Sequence, residues 1–183
     1  MPLTQIDENS ALVVIDLQRN IVGGLGDAAN QTVTNAAALA ADFRAAGRTV
    51  VLVNVATRPQ GRTDAGASSA EFDAADIVLD GALGFDAADI HITKRAWGAF
   101  TNTDLDARLR ERGVTQIVMT GISTSIGVES TARGGYELGY HVVLVEDAMT
   151  DSDPNAHDYS VATIFPKLGE VTTTADVSAK LQH

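Results

Sequence analysis

The sequence predicts an α/β fold, a three-layer α/β/α sandwich on a mainly parallel, Rossmann-like sheet of about six strands. Short, nearly continuous apolar runs recur along the chain, as in ALVVIDL, TVVLVNV and HVVLV. That is the pattern of strands buried on both faces. Between the runs lie segments whose apolar residues fall at helical spacing. Strands alternating with helices require parallel pairing, right-handed crossovers and helices on both faces of the sheet.

The first strand covers residues 11–17, and a glycine-rich turn, IVGGLGDA, follows it. Residues 31–46 set Val33, Ala36, Ala37, Ala40 and Phe43 on one helical face, with Gly47 as the stop. The second strand is 49–55. Residues 58–89 then break the rhythm; Gly, Ala, Asp and Ser dominate, and Pro59 stands near the start. So long an irregular stretch is either a solvated loop or a lid or subunit contact. A short strand at 89–93 precedes a helix that Thr103 opens in a T-x-x-D pattern, with Leu105 and Leu109 as its stripe and Gly113 as its stop. A strand at 116–120, a helix at 124–138 stopped by Gly139 and a strand at 141–145 follow. Asp153 and Pro154 read as the N-cap and first residue of a helix carrying Val161, Ile164, Phe165 and Leu168. A strand at 170–172 and a terminal helix close the series. No repeat, heptad or linker divides the chain, so residues 1–183 are expected to form one domain.

Composition narrows the function classes. The chain carries 24 acidic against 13 basic side chains, a formal net charge of −11. The basic residues are scattered, which argues against nucleic acid and anionic membranes as partners. The start, MPLTQIDENS, has no basic n-region, so no signal peptide is expected. No apolar run approaches the ~20 residues of a membrane span. Cysteine is absent, which excludes disulfides, thiolate metal sites and a cysteine nucleophile, and fits a reducing, cytoplasmic location. His91, His141, His157 and His183 show no paired ligand spacing, so neither a metal nor a cofactor is expected. VGGLG lacks the spacing of a dinucleotide fingerprint, and no acid follows the second strand.

Ligands of such sheets bind outside the carboxyl ends of the strands, near the point where strand order reverses. Three strand ends carry suggestive groups. Asp16 directly follows the apolar run and is costly to bury unless paired. It is either a carboxylate that caps a loop or an acid with work to do, and Lys94, after the third strand, is either its partner or a solvated lysine. Trp97 and Phe100 are either core or an apolar wall for a substrate. The fourth strand turns sharply into a helix through TGISTSIG. Free N–H groups at that helix start either hold an oxyanion or are capped by Ser and Thr. Arg58 either grips a substrate carboxylate or lies on the surface. Gln18, and Asn20 beside it, either line the crevice or serve the local backbone.

Together these segments resemble the isochorismatase-like superfamily, which includes the nicotinamidases and related cysteine hydrolases. The resemblance spans residues 11–174 and is carried, in order and spacing, by VVIDLQ, KRAWGAFTNTDLDARLRERG and TGISTSIGVESTARGGYELGYHVVLVEDAMTD. It implies that Asp16 is a general acid or base and that Lys94 sits beside it. It also implies a cis peptide at Ile122–Ser123, in a turn through Thr124 that helps to build an oxyanion-type site. The nucleophilic cysteine of the cysteine hydrolases comes at the end of that turn, where this chain has Gly127. Glycine forms no thiolate and no acyl-enzyme. Ser123, Thr124 and Ser125 offer hydroxyls, but no histidine is adjacent in sequence to serve as their base.

Isochorismatases proper also carry glycine at this point and cleave a vinyl ether. Their aspartate protonates the vinyl carbon, and water adds to the oxocarbenium-like centre. SIGVESTAR itself resembles the cysteine hydrolases more closely. The expected function is hydrolysis of a small, carboxylate-bearing molecule by Asp16 and Lys94 without a covalent intermediate. The alternatives are an amide hydrolase with another nucleophile, a catalytically silent small-molecule-binding homologue, and a Gly127 engineered from cysteine. The Asp-x-His metal motif of some nicotinamidases has no counterpart, since residues 54–58 read NVATR. Members of the superfamily are commonly dimers or tetramers, so a homodimer or homotetramer is expected.

Overall fold

The structure is a computed structural model that describes residues 3–64 and 71–181; His183 and the middle of the irregular stretch lie outside them. Six strands form one parallel sheet: β1 (Ser10–Ile15), β2 (Thr49–Val55), β3 (Ile90–Lys94), β4 (Gln116–Ile122), β5 (His141–Thr150) and β6 (Glu170–Thr172), in the order β3-β2-β1-β4-β5-β6. The predicted three-layer sandwich is therefore present. The central strands β1 and β4 are buried along their whole length, which is why their sequences show no alternation.

Period-two geometry sends alternate β1 side chains to opposite faces. Leu12 and Val14 join a core with Val33, Leu39 and Phe43 of α2 (Asp27–Ala45) and Val177 of α6 (Thr174–Leu181). Ala11, Val13 and Ile15 join a second core with Leu105 and Leu109 of α3 (Leu105–Glu111), Ala132 of α4 (Glu129–Glu137) and Phe165. Asp153 caps α5 (Pro154–Tyr159) as its sequence predicts, its side chain accepting from Asn155 N. No helix among the described residues is long and apolar enough to cross a membrane.

Two expectations change. The glycine-rich segment is not a turn but α1 (Arg19–Leu25), which buries Val22 and packs Ile21 and Leu25 on the core. That burial outweighs the ~1 kcal/mol that each glycine costs a helix. The break comes later, at Gly26, with φ 67°. The second change concerns the irregular stretch. Its second half, residues 71–80, is stitched along the carboxyl ends of β1 and β2. Phe72 N donates to Ala56 O, Asn54 Nδ2 to Ile77 O, Arg19 N to Val78 O and Asp80 N to Leu17 O. Bonds from the ends of two strands make residues 71–80 part of the wall of the rim.

Candidate active site

Strand order reverses between β1 and β4, and the site lies at their carboxyl ends, where such sheets bind ligands. The residue after β1 is Asp16. Its φ of 52° is left-handed, a conformation that non-glycine residues hold only where their surroundings enforce it. Asp16 N donates to Val53 O at 3.0 Å, fixing the bend that turns the carboxylate over the sheet edge. Lys94 ends β3, two strands away, and its Nζ lies 2.7 Å from Asp16 Oδ2. Strands spaced ~4.8 Å apart put β3 about 10 Å from β1, a span that needs a long cationic side chain.

Both members are buried, Asp16 at 5% exposure and Lys94 at 2%. Lys94 Nζ also donates to Trp97 O at 2.8 Å and Ala96 O at 3.2 Å, so its three protons have three acceptors. Asp16 Oδ1 is buried with no hydrogen-bond partner among the described residues. Loss of water pushes the Asp16 carboxyl up to about 6, against the opposing pull of Lys94. A half-satisfied acid poised near neutrality is the expected state of a group that exchanges a proton with a ligand.

The facing wall comes from β4. Gly121, at φ 122°, lets β4 approach β1 closely, since a Cβ there would stand 2.0 Å from Ile15 O. The Ile122–Ser123 peptide is cis, as the resemblance implied. The chain then makes a π-type turn, Thr124–Val128, before α4. Ile122 is buried and belongs to the core; Ser123 is half-buried. A Cβ built on Gly127 would meet Asp16 Oδ2 at 3.2 Å, Ile15 Cγ2 at 3.0 Å and Ile122 O at 3.4 Å. Asp16, Lys94 and Gly127 thus converge.

One N–H group of the helix start is taken by an acid. Asp151 Oδ2 accepts from Ser125 N at 2.8 Å and from Ser125 Oγ at 2.7 Å. Thr124, fully buried, sets its Oγ1 2.8 Å from His157 Nδ1. No histidine is adjacent to these hydroxyls in the sequence, since His157 is 33 residues away along the chain. Asp151 and His157 carry no local signal; the pairing of β5 with β4 brings in the first and the packing of α5 against the turn the second.

The remaining candidates separate. Gln18 is not a crevice residue. It is fully buried, its Nε2 donates to Asp76 O at 2.8 Å and Val55 O at 3.3 Å, and its Oε1 accepts from Val55 N at 2.7 Å. Both amide donors and one of the two acceptor directions are spent on backbone, and the side chain is out of solvent. Phe100 takes the packing role: it stacks on Tyr140 with centroids 5.8 Å apart and lies against Gly134 and Gly135. Trp97 is 54% exposed at the rim, its backbone carbonyl held by Lys94. Arg58 is exposed just past β2 and pairs with no acid among the described residues. No three His, Asp or Glu side chains among the described residues converge as metal ligands.

Comparison with known proteins agrees with this fold. The profile of the isochorismatase domain matches residues 10–176. The isochorismatase family protein YwoC of Bacillus subtilis (strain 168) is 40% identical over 178 residues, covering 92% of each chain. Among solved structures, an isochorismatase family protein from Burkholderia thailandensis superposes with a TM-score of 0.92 at 42% identity, covering 100% of both chains. N-carbamoylsarcosine amidase from Thermoplasma acidophilum superposes with a TM-score of 0.75 at 29% identity, covering 91% of this chain and 96% of its own.

Proposed function

Since the chain belongs to the isochorismatase family and is a hydrolase, we propose that it hydrolyses a small, carboxylate-bearing substrate by proton transfer at Asp16, with no covalent enzyme intermediate. Gly127 takes the place at which the family's cysteine hydrolases carry their nucleophile. The observation that carries this reading is the contact geometry of residue 127. A side chain there would touch the very carboxylate that Lys94 holds, and glycine leaves that space to a substrate atom or water. No cysteine elsewhere in the 183 residues is available as a substitute.

The chemistry that fits is vinyl ether hydrolysis. Asp16 transfers its proton to the vinyl carbon, and the electron pair of the double bond forms the new C–H bond. Water adds to the resulting oxocarbenium carbon and loses a proton. Collapse of the hemiketal then breaks the C–O bond and releases an alcohol and a carbonyl compound. Oδ1 is the natural atom for the transfer, because Oδ2 is anchored by Lys94. Lys94 holds the carboxylate after the proton has left. Arg58 is the candidate grip for the substrate carboxylate, and Trp97 the rim wall beside it.

Amide hydrolysis by a hydroxyl is the second reading, favoured by one observation: Thr124 Oγ1 and His157 Nδ1 stand at nucleophile–base distance. Against it, Thr124 is fully enclosed and Ser125 is bound to Asp151. The working form we take to be a homodimer or homotetramer, since Trp97 and Tyr159 are exposed at 54% and 60%; light scattering in solution decides it.

The deciding experiment is turnover of a panel of vinyl ethers, amides and esters by the wild type, Asp16→Asn and Thr124→Ala. Loss of at least ~10³-fold with Asp16→Asn alone, with ligand binding kept, supports the proposal. Full activity in Asp16→Asn sinks it. A ligand that binds while nothing in the panel turns over marks a silent homologue.

A further inference from the structure

The segment after β5 grips the catalytic turn through three side chains. Asp151 takes Ser125, His157 meets Thr124, and Ser160 Oγ donates to Glu129 Oε2 at 2.7 Å. Asp151 holds the turn from the end of β5 and Ser160 holds the first turn of α4. The His157 bond lies between them and reaches the turn's most enclosed hydroxyl, three residues before Gly127. Thr124 has no other side-chain hydrogen bond among the described residues, so without His157 a fully buried hydroxyl would be left unpaired, at a cost of ~1–3 kcal/mol to that conformation. The native path of the backbone from Ser123 to Gly127 is therefore favoured by a residue of another element.

We propose that His157 is a positioning residue: through the Thr124 hydroxyl it sets the distance between residue 127 and the Asp16 carboxylate. The inference rests on the reading of Asp16 and Gly127 as the reacting centre. The imidazole does not touch the substrate. Its Nδ1 accepts from the hydroxyl when unprotonated and donates to it when protonated, so the contact survives either charge state. Reach is the specific requirement. Asparagine places an amide atom at the same distance from its backbone as Nδ1, so it preserves the bond; leucine fills the space and removes it.

The test uses the absence of cysteine. Gly127→Cys introduces a single thiol beside Asp16, and its rate of alkylation by iodoacetamide against pH gives that thiol's pKa without any turnover. The parent Gly127→Cys and its combinations with His157→Leu, His157→Asn and Thr124→Val are compared, with circular dichroism confirming the fold of each. The expected result is a shift of at least ~0.5 unit toward the free-thiol value of about 8.5 for His157→Leu. Thr124→Val should give the same shift, their combination no more, and His157→Asn none. An unchanged thiol pKa in both His157→Leu and Thr124→Val overturns the proposal, and so does a shift in His157→Asn equal to that of leucine. If His157→Leu fails to fold, Thr124→Val and His157→Asn decide it alone. Because the thiol reports geometry and not catalysis, loss of the Asp16 mechanism in the turnover panel would leave this result standing.

Discussion

Lys94 sets its ammonium nitrogen 2.7 Å from Asp16 Oδ2 although the two residues end strands that do not pair. The lysine passes over the end of β2, and both charges lie out of water. Breaking such a pair from one side leaves the other charge buried and uncompensated, which costs more than the pair contributes. Lys94→Met, which leaves the Asp16 carboxylate buried without its counter-ion, should therefore lower stability by about 3 kcal/mol at pH 7. The double variant Asp16→Asn/Lys94→Met should lose at least ~1 kcal/mol less than the sum of the single losses. Urea denaturation of the four proteins measures it; strict additivity would mean that the two charges do not interact.

The same carboxyl gives a pH dependence of stability. Its pKa rises on folding from 3.8 to about 6, so the folded state binds the proton more tightly. Stability from this group is full below about pH 4 and is lost as pH rises through about 6. The shift corresponds to about 3 kcal/mol. The stability of the wild type relative to Asp16→Asn should fall by that order between pH 4 and pH 7. A difference that stays constant, or moves the other way, contradicts a desolvated Asp16.

Catalysis should show the same titration with a direction that reveals the role. As a general acid, Asp16 gives a kcat/KM that falls tenfold per pH unit above about 6. As a general base it gives one that rises up to about 6 and then levels. A profile of kcat/KM that is flat from pH 5 to pH 8 on a turned-over substrate would remove Asp16 from the proton transfer.

Gly121→Ala should be among the most damaging single changes in the chain. The new methyl would lie 2.0 Å from Ile15 O and the residue would keep a φ of 122°. Relief requires β4 to separate from β1 in the centre of the sheet. A loss above ~4 kcal/mol, or no soluble protein, is expected. A melting temperature within 3 °C of wild type, with 1 kcal/mol moving a domain of this size by ~2–4 °C, would show that the strands part easily.

Gln18→Leu removes three hydrogen bonds and takes that partner from the half-buried Val55 N, Val55 O and Asp76 O. A cost of ~2–4 kcal/mol is expected, together with faster amide exchange across residues 71–80, read by mass spectrometry. Unchanged exchange there would mean that the other stitches hold the wall alone.

Much of this protein was legible in the linear chain because the signals are local. A strand buried on both faces must be apolar throughout, so β1, β2 and β4 announce themselves; Asp16 directly follows β1, Lys94 ends β3 and Gly127 lies in the turn after β4. The strand β2 and the cap at Asp153 match residue for residue. Helix α1 did not show itself, since its glycines argue for a turn and only packing of Ile21, Val22 and Leu25 on the core overrides them.

What the order of residues determined by itself was the fold, the strand-end positions of Asp16 and Lys94 and the lack of any thiol. Tertiary structure alone decided which polar groups are consumed and which are left. Gln18 is consumed by backbone, Ser125 by Asp151 and Thr124 by His157, while Asp16 Oδ1 stays unmatched among the described residues. The physical reason is that hydrogen bonding and desolvation depend on distance in space, and these partners meet across 26 to 58 residues of chain.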